Sequence, residues 1–156
     1  MKKEIAILAL CLGFTATKAQ DLKEADVPAN VKEAFAKKYA GSKAKEWEKE
    51  NADYEVEFNL NKVESSAVFT AEGTFKELEQ EIKLAELPKL ASDYCTKNYG
   101  GWKLSEAAKI TDAAGTVTFE AEMEKGKEQF DVMFDDKGNF VKKGELEKES
   151  DNEKKD

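Results

Sequence analysis

The chain has 156 residues and a formal charge of −8, with 37% charged residues, 10% aromatic residues, no histidine and no arginine. Such acidity excludes nucleic acid and anionic membrane surfaces as ordinary partners. The missing histidine removes the commonest general base, the histidine-assisted nucleophiles and the usual zinc ligand.

Residues 1–19 read as a signal peptide. Lys2 and Lys3 precede a short apolar run, Ile5–Phe14, and Thr17-Lys18-Ala19 ends in a small residue before Gln20. The run is too short for a membrane span, so no membrane insertion is expected. Leu8-Ala9-Leu10-Cys11 loosely resembles a lipobox, but Leu10 stands where a small residue is required, which favours ordinary cleavage and a periplasmic or secreted product over a lipoprotein. Setting the leader's net +2 aside takes the charge from −8 to −10 and leaves one cysteine, Cys95, which excludes an intrachain disulfide.

From Asp26-Val27-Pro28, an acidic cap and early proline predict a helix whose apolar stripe is Val27, Val31, Phe35 and Tyr39, ending at Gly41. Lys43–Glu50 predicts an edge strand anchored by Trp47. Tyr54, Val56, Phe58 and Leu60 alternate with polar residues, the clearest strand of the first half, and Asn61-Lys62 begins its turn into Ser66–Thr70. Thr74–Leu84 reads as a fourth strand whose apolar parity shifts after Phe75, which a bulge would reconcile.

The pattern restarts at Leu87-Pro88, with a helical stripe of Leu87, Leu90, Ala91, Tyr94, Cys95 and Tyr99 stopped by Gly100-Gly101. Leu104–Ile110 is a weaker strand, and Val117, Phe119, Ala121 and Met123 alternate against Glu120, Glu122 and Glu124 in a stronger one. Phe130, Val132 and Phe134 then alternate with Gln129, Asp131 and Met133, and Asp135–Asn139 turns the chain into Phe140. Ala67, Phe69, Gly73 and Phe75 stand 65 residues before Val132, Phe134, Gly138 and Phe140, so the chain reads as duplicated.

These patterns predict an α+β fold in which α-β-β-β-β occurs twice, residues 20–86 and 87–146, each helix packed on one face of an antiparallel sheet. Whether the repeats share one sheet stays open. Glu147–Asp156 is almost wholly charged and reads as a disordered tail.

Little in this chain is suited to bond-making. Glu55/Glu57 and Glu120/Glu122 sit two apart on strands, roughly 6.5–7 Å, but alternating glutamates produce that spacing on any solvated sheet face. Asp135–Asn139 lacks the ligand spacing of a calcium loop and reads as a turn. Cys95 falls on the buried helical stripe. No catalytic residue, cofactor or metal ligand is expected.

The spacing Val27-Pro28, Phe35, Tyr39, Trp47, Tyr54–Phe58, Gly73, Phe75, followed by Leu87-Pro88, Tyr99, Phe119, Phe134-Asp135, Gly138, Phe140, resembles the PepSY-like exported proteins of Bacteroidetes-type bacteria, also described as β-lactamase-inhibitor-like. The resemblance spans about Val27–Val141 and is carried by fold-setting residues. It implies a periplasmic binding or inhibitory module that grips an enzyme with a sheet face and loops.

The expected function is therefore a non-enzymatic periplasmic module that binds a protein, possible targets including a hydrolase, through the outward sheet face. Glu55, Glu57, Glu120, Glu122 and Asp131 form an acidic array suited to a basic exported or periplasmic partner, with Met133 or Trp102 as apolar anchor. The alternative is a small molecule or cation held between the repeats.

Overall fold

The computed structural model describes residues 20–148, so the expected leader and residues 149–156 of the expected tail lie outside the described residues. The chain divides into two units, one running to Gln80 together with Thr111–Gly115, the other comprising Glu81–Ile110 and the residues from Thr116 onward.

The first unit contains β1 (Gln20–Leu22), a 3-10 turn (Glu24–Asp26), α1 (Ala29–Lys38), β2 (Ala44–Glu50), β3 (Asp53–Leu60), β4 (Val63–Thr70) and β5 (Phe75–Glu81). Its strands pair antiparallel in chain order. The register aligns Leu22, Trp47, Val56, Ala67 and Leu78 in one row across the sheet. That row faces the core, where Phe35 meets Phe58 edge-on at 5.1 Å and Trp47 at 5.7 Å between ring centroids. Such aromatic pairs add about 0.5–1.5 kcal/mol each beyond the area they bury.

In the second unit a 3-10 turn (Leu84–Glu86) and α2 (Lys89–Asn98) precede β6 (Lys103–Asp112), β7 (Val117–Lys125), β8 (Glu128–Asp135), β9 (Phe140–Lys143) and β10 (Glu147–Lys148). Met123, Ala121 and Phe119 stand opposite Phe130, Val132 and Phe134 across β7 and β8. Phe130 is enclosed by Tyr99 at 5.0 Å and Trp102 at 4.6 Å. β9 and β10 both pair with β8, at different ends of it. Asp135 closes the β8–β9 turn: Oδ2 accepts from the Asn139 side-chain amide at 2.8 Å and Oδ1 from the Asn139 and Lys137 backbone amides at 2.8 and 2.9 Å, which together hold its carboxyl below the usual range.

The expected α+β class, with α-β-β-β-β twice and the helices as a layer on the sheet, is corrected. Ten antiparallel strands dominate the described residues, with two α-helices of ten residues each. A ten-residue helix is about 15 Å long, and each contributes only two fully buried side chains of its own, Val31 and Phe35 or Ala91 and Cys95. The rest of the packing comes mainly from strands, with Leu22 of β1 joining the first core; neither β1 nor β10 was expected from the sequence. The tail expectation also changes, since Glu147 and Lys148 are in β10.

Three local readings change as well. β2 is not an edge, because β1 pairs with its free side. Asp26 lies in a 3-10 turn rather than capping α1, whose N-cap position is Pro28 without a side-chain hydrogen bond. Leu90, placed on the apolar stripe of α2, is 57% exposed. The bulge expected near Phe75 is present: Val68 faces Glu77 while Phe69 faces Phe75, leaving Lys76 extra.

Two glycines seat a turn on a helix start. A Cβ on Gly73 (φ +81°) would lie 2.7 Å from the Asn30 carbonyl oxygen, and one on Gly138 (φ +86°) 2.8 Å from Pro88 Cβ and 3.0 Å from the Ala91 nitrogen. Gly41 and Gly101 share the positive φ but have open space around them. Gly73→Ala or Gly138→Ala is expected to cost about 2–4 kcal/mol, against about 1 kcal/mol for Gly41→Ala or Gly101→Ala. Urea unfolding of the four variants measures the difference, and equal costs would mean that backbone conformation alone, without the helix contact, accounts for these glycines.

Candidate functional site: cross-strand carboxylates on the face opposite the core

Strand side chains alternate, so each residue between two core positions points to the other face of the sheet. In the first unit that face carries Glu46 and Glu48 on β2, Glu55 and Glu57 on β3, Ser66 on β4 and Glu79 on β5. The register sets Glu46 directly opposite Glu57 and Glu48 directly opposite Glu55. Ser66 stands opposite both Glu57 and Glu79. Like charges in directly opposed positions destabilise a sheet.

Burial sharpens the conflict. Glu55 retains 5% of its surface, Ser66 and Glu79 are buried, and Glu55 Oε1 has no hydrogen-bond partner. Desolvation, with Glu79, Glu48 and Glu50 nearby, pushes the Glu55 carboxyl well above its ordinary value, although the Ser66 hydroxyl favours the ionised form. Glu57 is pushed up to about 7 by desolvation and by Glu46 and Glu48. Lys45, paired with Glu64 at 2.5 Å, offsets this only partly.

The second unit repeats the chemistry with other residues. Glu122 stands opposite Asp131 and Glu120 opposite Met133. The Asp131 carboxyl is pushed up to about 7, first by desolvation and then by Glu122, Glu147 and Glu106. Ser105 Oγ donates to Glu122 Oε1 at 2.5 Å.

The sequence-predicted residues are thus only partly gathered. Glu55 and Glu57 share one face of the first unit; Glu120, Glu122, Asp131 and Met133 share one face of the second. The solvated array is corrected in detail, because Glu55, Glu120 and Met133 are buried. Trp102 is separated from the others in its unit: it packs on the core side against Phe130, with the Lys125 ammonium 5.8 Å from its ring. Glu46, Glu48, Glu79 and Ser66 were missed. Their alternation with Trp47, Leu78 and Ala67 carried the signal, but only the register shows which carboxylates oppose each other.

This arrangement can bind and release protons near neutral pH and attract cationic groups. Cys95 lies apart from it in the core, where burial pushes the thiol up to about 11. Among the described residues no group of three or more His, Cys, Asp or Glu is placed to hold a metal ion, and no helix is long and apolar enough to cross a membrane.

Each unit is thus a small antiparallel β scaffold with carboxylates on the face opposite its core. Residues 14–77 and 58–142 match the family described as "Putative beta-lactamase-inhibitor-like, PepSY-like", and the chain belongs to that PepSY-like family. The family is inhibitor-like by description.

The fold is similar to that of a DUF2874 family protein from Bacteroides uniformis, with TM-score 0.65 and 15% identity over 74% of this chain and 87% of that one. It is also similar to a BLIP-like protein from Bacteroides fragilis, with TM-score 0.61 and 18% identity over 81% and 91%. A third similar structure, from Bacteroides eggerthii and described among "putative periplasmic proteins", has TM-score 0.62 and 17% identity over 75% and 87%. No curated protein matches the chain.

Raised carboxyl pKa values give stability a definite pH slope. Ordinarily near 4.5 for Glu57 and 3.8 for Asp131, both carboxyls rise to about 7 on folding, so the folded state binds more protons through that window. Their contribution is most favourable below about pH 4 and is lost as pH rises through 7. Thermal midpoints should therefore fall between pH 5 and pH 8, with a shallower fall in Glu57→Gln/Asp131→Asn. A wild-type midpoint that rises over this range would contradict the site as described. Cys95 should react with a thiol reagent at pH 8 at least ~100-fold more slowly in the folded chain than in urea; comparable rates would place the thiol at the surface.

Proposed function

We propose that this chain is an exported, non-enzymatic binding module that acts in the periplasm and holds a basic protein through the carboxylate-bearing sheet face of either unit. In this reading residues 1–19 are removed as a signal peptide, and 20–86 and 87–146 are its two repeats. The observation that carries it is the cross-strand pairing of like charges, Glu46 with Glu57, Glu48 with Glu55 and Glu122 with Asp131. A sequence selected only for stability would place lysine on one side of each pair. Such local conflict with the fold is characteristic of functional surface.

A Lys or Arg side chain brought by a partner would relieve that repulsion and displace the protons held there. The inhibitor-like description of the family supports a reading in which the partner is a hydrolase, and the periplasmic description of the Bacteroides eggerthii structure supports the compartment. Glu46, Glu57, Glu122 and Asp131 are the contact residues of this reading, with Glu55 and Glu120 buried beside them.

The mature chain should bind basic proteins with affinity that falls as salt rises, and binding should release protons at pH 6.5. Calorimetry in two buffers of different ionisation enthalpy reads both effects. Glu46→Gln/Glu57→Gln and Glu122→Gln/Asp131→Asn should each weaken binding about tenfold while leaving the chain folded. Inhibition is tested separately against a panel of β-lactamases and other periplasmic hydrolases. Salt-independent binding that survives both double variants would remove the carboxylate face from the account.

A further inference from the structure

The second unit ends in an edge strip whose charges are self-complementary. β9 and β10 lie along the same side of β8, and neither has a further strand beyond it among the described residues. From Phe140 to Lys148 the strip reads FVKKGELEK, two lysines followed by two alternating glutamates. Its apolar residues are open to solvent: Phe140 is 43% exposed, Val141 54% and Leu146 48%.

Pairing geometry decides what such a strip can accept. Lys142 stands opposite Met133 and Glu147 opposite Gln129, which puts both on the face of β8 that also carries Asp131. In an uninterrupted strand, residues five apart would point to opposite faces. Here the break at Gly144–Leu146 restores them to one face, and the Gly144 amide donates to the Asp131 carbonyl at 2.8 Å. A second strip laid antiparallel about a two-fold axis brings Lys142 of each copy against Glu147 of the other, on that same face. A parallel arrangement would set lysine against lysine.

We propose that two copies of this chain associate through this edge, antiparallel and two-fold, with reciprocal Lys142–Glu147 contacts flanked by the exposed Val141 and Leu146. Glu147 sits among Glu145, Glu122 and Asp131, so an ammonium group from the second copy enters a site already crowded with negative charge. Lysines on an edge strand ordinarily ward off other strands. In this strip the basic half is matched by an acidic half, so the same charges that reject a foreign basic edge attract an identical one. A contact of this length buries less than the ~1,200 Å² of a standard interface, so the association is weak.

Sedimentation equilibrium of the mature chain from about 1 μM to about 1 mM should show a reversible monomer–dimer equilibrium. Lys142→Glu alone and Glu147→Lys alone should each weaken dimerisation about tenfold or more through like-charge contact. An equimolar mixture of the two variants should regain it, because each then meets an opposite charge twice. That recovery also proves both variants folded. A monomer at every concentration, or a mixture no stronger than either variant alone, overturns the proposal.

Discussion

The strand pleat imposes one constraint on nearly everything in this protein. Successive side chains must leave the sheet on opposite sides, so every residue sent into the aromatic core commits its neighbours to the other face. Trp47 in the core places Glu46 and Glu48 opposite; Val56 does the same to Glu55 and Glu57; Val132 does it to Asp131 and Met133. The core and the carboxylate face are two readings of the same residues, and neither can shift register without destroying the other.

That coupling explains how a row of opposed carboxylates persists. Burial of Phe58, Phe69 and Phe134, each essentially inaccessible, supplies far more stabilisation than the repulsion of a few glutamates removes. The sheet holds the carboxylates in place, and their response is to retain protons near neutrality rather than to separate. A face in that condition is poised toward a cation. This links the packing of the chain to the inhibitor-like family to which it belongs.

The edges of the two units were the least legible part of the fold. Alternation over Tyr54–Leu60, Val117–Glu124 and Phe130–Phe134 marks β3, β7 and β8, because long strands with one apolar face leave a period-two trace. β1 and β10, three and two residues long, leave none, and exist because β2 and β8 offer them unpaired edges. The helical stripes read as a helix layer, whereas each helix has ten residues and contributes to a mainly strand-built core.

Local sequence determined the period of β3, β7 and β8, the buried side of α1, the turns at Asn61-Lys62 and Asp135–Asn139, and the absence of histidine chemistry. Those properties depend on neighbours within a few residues, where spacing and side-chain type suffice. Tertiary structure alone decided that Glu48 faces Glu55, that Trp102 turns to the core while Asp131 turns away, and that Lys142 and Glu147 share a face. Each is a matter of register or of a break in a strand, set by hydrogen bonds between segments that the chain order does not specify.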